Sequence, residues 1–67
     1  MGTNNTTGQI LKKARIAKNL TQIEVANRAS IHPNTYAKLE RDEQSPSFAT
    51  IKKLAKILDL NIDNIPT

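Results

Sequence analysis

The sequence predicts a single all-α domain of five helices, and three observations carry that expectation. Thr21, followed three residues later by Glu24, forms a capping box, which satisfies two orphan backbone donors at a helix N-terminus reciprocally. Pro33 stands where a first helical residue should be, since its missing N–H costs nothing there and its fixed φ suits helix entry. Phe48, Ile51, Leu54, Ala55 and Leu58 recur with the helical period of about 3.6 residues, so this stretch is expected to bury one continuous stripe.

Taken in order, Met1 to Thr7 is polar, rich in Thr and Asn, and without periodicity, which reads as a disordered N-terminal lead. Lacking Arg and Lys, it is a poor arm for a minor groove. Gly8 to Lys18 is the first helix, with Leu11 and Ala14, joined by Ile10 and Ala17, inward and Lys12, Lys13 and Lys18 outward. Asn19 is a good left-handed stop. The second helix runs from Thr21 to Ala29, and Val25, Ala26 and Ala29 give it a narrow, small inner face suited to close approach of a neighbouring helix. Ser30 and Ile31 form a tight turn with Ile31 as its apolar plug. His32 is then the N-cap of the third helix, in which Tyr36 and Leu39 are the buried stripe while Asn34, Thr35, Ala37 and Lys38 look outward. Asp42 to Pro46 is a polar turn, and Ser47 caps the fourth helix, which runs to Leu58. Asn61 can cap a last short turn of helix before residues 66–67, a short tail.

Size and composition exclude several classes of function. A chain of 67 residues is one domain at most, and such a domain buries only about 60% of its unfolded surface, leaving little room for a deep catalytic pocket. There is no cysteine and one histidine, so neither a disulfide framework nor a metal site is expected. No Gly-rich phosphate loop, no nucleophile with its base and no paired carboxylates are found, and the chain is not expected to be an enzyme or to need a cofactor. Tyr36 and Phe48 are the whole aromatic content, too little for the stacking platforms of single-strand or RNA binding. A formal charge of +4 favours a polyanionic partner. No secretory leader and no membrane span are read, so a cytoplasmic location is expected.

Thr21-Gln22, Ala26, the turn Ala29-Ser30-Ile31, Leu39-Glu40-Arg41 and then Ser45-Pro46-Ser47 resemble the phage-repressor and Cro-like (XRE-type) helix-turn-helix family, over residues 8–65 with the helix-turn-helix unit at 21–41. The resemblance implies the compact λ-repressor-like fold and a bacterial or phage-derived, nucleoid-associated transcriptional regulator, most simply a repressor. Its implied partner is double-stranded DNA at an inverted-repeat operator, with no small-molecule ligand. Carried over by position, His32, Pro33, Asn34 and Lys38 face bases, and Gln22, Thr35, Arg41 and Ser47 contact phosphates. Asn can pair bidentately with adenine and Lys can donate to guanine, whereas Pro33 offers only apolar touch. The resemblance also implies a structural ion pair between Arg15 and Glu40, and it leaves two roles open for the C-terminal apolar residues Ile57, Leu60, Ile62 and Ile65: sealing the core, or forming a symmetric homodimer contact as in relatives that bind palindromic sites.

Four positions depart from the family pattern. Asp42 and Glu43 replace a turn usually rich in Gly and Lys, and two carboxylates near a phosphate repel it. Ile23 stands where a polar residue is usual, and Ile57 where alanine is common. Ile16 and Ile23, off the inward stripes of their helices, motivate the alternative: a protein-interaction module or antitoxin-like adaptor that keeps the fold and binds a protein through them and the C-terminal apolar segment.

Overall fold

The computed structural model describes residues 6–64. These form α1 (Thr7–Ala17), α2 (Gln22–Arg28), α3 (Pro33–Glu40) and α4 (Phe48–Leu58), followed by one 3-10 turn at Ile62–Asn64. Among the described residues the expected fifth helix is present only as that turn, which Asn61 opens by accepting the Asp63 N–H at 3.0 Å. Three residues cannot build an i to i−4 ladder. Most of the lead, and the expected contact at Ile65, lie outside the described residues.

Every α-helix starts on a side-chain cap. Thr21 and Glu24 make the expected box, with Thr21 Oγ1 accepting from Glu24 N at 3.0 Å and Glu24 Oε1 from Thr21 N at 2.9 Å. A second box starts inside the residues read as a lead: Thr6 Oγ1 accepts from Gln9 N at 3.2 Å and Gln9 Oε1 from Thr6 N at 3.0 Å. His32 caps α3 through Nδ1, and Ser47 caps α4.

The helices also share one way of ending. Asn19, Ser30, Asp42 and Asp59 all take left-handed backbone, with φ between 55° and 59°, and the N–H of the next residue reaches back into the last turn. Leu20 bonds Arg15 O at 3.2 Å, Ile31 bonds Ala26 O at 3.0 Å, Glu43 bonds Lys38 O at 2.9 Å and Leu60 bonds Ala55 O at 2.8 Å. These are Schellman closures, which satisfy carbonyls that a helix end leaves free. In three of them the residue after the left-handed position is apolar, and Leu20, Ile31 and Leu60 all pack on the core.

Leu11, Val25, Ala26, Ala29, Tyr36, Leu39, Leu54 and Leu58 form that core. Ile51 and Ala55 form a second cluster with Ile10, Leu60 and Ile62. Three expectations are corrected. Phe48 is 62% exposed; it is the first residue of α4, ahead of the core clusters, and its ring lies 5.5 Å from the Lys52 ammonium. Ala17 is exposed in the last residue of α1, and Ala37, read as outward, is half-buried. Gly8 is buried where α1 meets the end of α3, and a Cβ there would lie 2.4 Å from the Glu40 carbonyl oxygen. Only glycine permits that approach.

Candidate nucleic-acid interface

α2, the turn at Ser30-Ile31 and α3 make the helix-turn-helix. Small inner residues let the two helices meet closely: Val25, Ala26 and Ala29 are buried on one side, Tyr36 and Leu39 on the other. Burying Tyr36 and Leu39 turns the remaining face of α3 to solvent. His32, Asn34 and Lys38 are exposed there, while Pro33 and Thr35 are half-buried. Asn34 and Lys38, four residues apart, share a helix face.

The end of α3 is anchored by a buried carboxylate. Glu40 is 7% exposed, and Arg15 of α1 grips it twice, Nε donating to Oε2 at 2.6 Å and Nη2 to Oε1 at 3.2 Å. Gln22, at the start of α2, donates Nε2 to the same Oε1 at 2.9 Å. Arg15 also donates Nη1 to Leu20 O at 2.9 Å. One carboxylate therefore ties together α1, α2 and α3. Burial pushes the Glu40 carboxyl up, but hydrogen bonds led by those from Arg15 outweigh it and hold it below the usual carboxylate range. The Tyr36 hydroxyl is buried nearby with no hydrogen-bond partner, and burial first, then Glu40, raises its phenol well above its ordinary value.

The positions expected to touch phosphate are placed unequally. Gln22 is half-buried and aimed by Glu40, and Arg41 is exposed as the C-cap of α3. The Ser47 hydroxyl is occupied as a cap, accepting from Thr50 N at 3.2 Å. The acidic turn is not a pair of free charges. Asp42 accepts from the Thr6 hydroxyl and, at 2.9 Å, from the Gly8 N–H, so it closes the start of α1 onto the end of α3. Glu43 holds Arg41 and its carboxyl is kept below the usual range by that bond. Sequence reasoning missed both roles, although the spacing Thr6-x-x-Gln9 already marked a helix start. Among the described residues no cluster of three or more His, Asp or Glu could hold a metal ion, and no helix is long and apolar enough to cross a membrane.

A family model described as a helix-turn-helix matches residues 11–65. The chain belongs to this helix-turn-helix family. It is 33% identical over 60 residues to the immunity repressor protein of Bacillus phage phi105, covering 90% of this chain and 42% of that protein. It is 38% identical over 52 residues to the cryptic phage CTXphi transcriptional repressor RstR of Vibrio cholerae, covering 78% of this chain and 47% of that protein. The chain thus spans less than half the length of these curated relatives. Among solved structures it is similar to SinR, the master regulator for biofilm formation, in complex with DNA. There the TM-score is 0.80 at 27% identity, covering 87% of this chain and 94% of that one.

Proposed function

We propose that this helix-turn-helix chain is a sequence-specific, double-stranded DNA-binding transcriptional regulator of the phage-repressor type, reading the major groove with α3. The observation that carries the reading is the exposed polar face His32, Asn34 and Lys38, on a helix held rigid from behind by Tyr36, Leu39 and the buried Glu40. The kinship with two phage repressors and with a regulator solved on DNA supports it. Asn34 and Lys38 carry base specificity, Pro33 makes apolar contact, and His32 adds a further contact at the entry of the helix. Gln22, Thr35, Arg41 and the backbone at Ser47 position the protein on phosphates.

The operator is an inverted repeat read by two copies of the chain. Ile57, Leu60 and Ile62 are half-buried and each already packs against a core cluster, so each offers a second copy only the exposed part of its side chain. The test is selection from a random duplex library at about 150 mM salt, where non-specific binding is weak. Enrichment of two half-sites about one helical turn apart is expected. Folded protein that enriches no motif sinks this reading in favour of a protein-binding module, whose candidate surface residues Ile16 and Ile23 are 55% and 59% exposed.

A further inference from the structure

The four Schellman closures differ at one place. After the left-handed residue, α1, α2 and α4 place Leu20, Ile31 and Leu60, all packed on the core; α3 places Glu43. Its backbone N–H is fixed to Lys38 O at 2.9 Å, and its carboxylate takes Arg41 in a fork, Nε to Oε2 at 2.8 Å and Nη2 to Oε1 at 3.3 Å. Lys38 lies close enough to add to the field on the same carboxylate. Both partners are more than half exposed, with side-chain exposures of 56% and 53%, so the pair does little for folding stability. A planar guanidinium gripped by two carboxylate oxygens has the geometry of its grip on two phosphate oxygens. Glu43 thus occupies Arg41 in the manner of a DNA backbone phosphate.

We propose that Glu43 is a specificity-determining residue: an intramolecular stand-in for phosphate that keeps Arg41 neutralised until a correctly docked duplex exchanges a real phosphate for it. The proposal rests on the DNA-binding reading above and on Arg41 as a phosphate contact. Non-specific binding draws its free energy from cations releasing counterions along the backbone. A loosely held, shifting duplex offers no fixed oxygen pair to replace the fork, and Arg41 stays with Glu43. A duplex whose bases engage Asn34 and Lys38 is held in register, and a phosphate is then presented where the carboxylate was. The acidic turn therefore suppresses random binding more than operator binding, and raises the ratio between them.

The experiment measures affinity for a random-sequence duplex and for the duplex enriched by selection over a series of salt concentrations, for the native chain, Glu43→Gln, Arg41→Ala and the double variant. Asp63→Asn, an equal change of charge at the exposed 3-10 turn, serves as the control, and circular dichroism checks folding. Glu43→Gln is expected to tighten random binding several-fold and to steepen the slope of log K against log salt by about one, as one added phosphate contact does. In the Arg41→Ala background that gain should fall to the level of the Asp63→Asn control. A gain that persists undiminished without Arg41 makes Glu43 a mere repelling charge and overturns the proposal, as does an unchanged slope in Glu43→Gln. On the duplex enriched by selection, an Arg41→Ala variant that binds with native affinity and slope removes the phosphate contact itself, and the proposal falls with it. Folded native chain that binds no duplex at low salt instead sinks the DNA-binding reading.

Discussion

Two residues on α3 do different kinds of work, and substitutions separate them. Lys38 is exposed and reaches outward; its loss in Lys38→Ala is expected to relax preference at one base pair by about 1–3 kcal/mol while leaving stability near native. Binding measured on single-substitution operators checks this, and equal losses on operator and random duplex would refute the assignment. Glu40 is the opposite case, buried and bonded by Arg15 and Gln22. Removing one partner of such a pair leaves an uncompensated buried charge, so Glu40→Gln should lose on the order of 3 kcal/mol at neutral pH. Its carboxyl is depressed in the folded protein, so below the ordinary value of about 4.3 the unfolded chain binds more protons there than the folded one. The stability contributed by Glu40 is thus full above that value and lost as pH falls through its lower, folded one. Urea unfolding of both proteins from pH 6 downward should show the gap between them narrowing on the acid side. A gap independent of pH would mean that the pair is not what holds the end of α3.

At the scale of elements, the closures that end the helices are built without glycine. Asn19, Ser30, Asp42 and Asp59 carry a Cβ into left-handed backbone, where an L side chain meets the following carbonyl and glycine does not. Asp42 and Asp59 are repaid by partners, Asp42 through Thr6 and Gly8, Asp59 through Lys18. Ser30 is exposed in the turn between α2 and α3, and Ser30→Gly is expected to raise stability by about 0.5–1 kcal/mol, read as an upward shift of the thermal midpoint. A lowered midpoint would show that the turn depends on the serine side chain. The starts of these helices were largely legible, because a capping box, a proline at the first helical position and a serine cap are local in the chain. The fate of Phe48 was not. Periodicity assigns it to the stripe with Ile51 and Leu54, but periodicity says which face a residue is on and nothing of how far along the helix a neighbour extends.

For the whole molecule, the question is whether the C-terminal apolar residues are consumed inside one copy. Ile57 and Leu60 pack on the main core, and Leu60 and Ile62 on the second cluster. Their half-buried state leaves only part of each side chain for a partner, while isologous contacts of stable dimers are more apolar than the remaining surface. Sedimentation equilibrium should therefore find free protein that is mostly monomeric at micromolar concentration and pairs on an inverted-repeat duplex. A tight dimer without DNA would place the interface on surface other than these residues.

What the sequence determined by itself is the helical plan and the exposed polar face of α3: caps, the period of α4, and the spacing that buries Tyr36 and Leu39 turn His32, Asn34 and Lys38 outward. The resemblance to phage repressors further implied the pair of Arg15 and Glu40, 25 residues apart. Tertiary structure decided what the charges near the end of α3 do. As a string, Asp42-Glu43 reads as two carboxylates repelling a phosphate. In the fold Asp42 accepts hydrogen bonds from Thr6 and Gly8 across 36 and 34 residues, and Glu43 grips Arg41. A charge acts through the few ångströms around it, and the groups brought within that distance are set by how helices pack, not by their order along the chain.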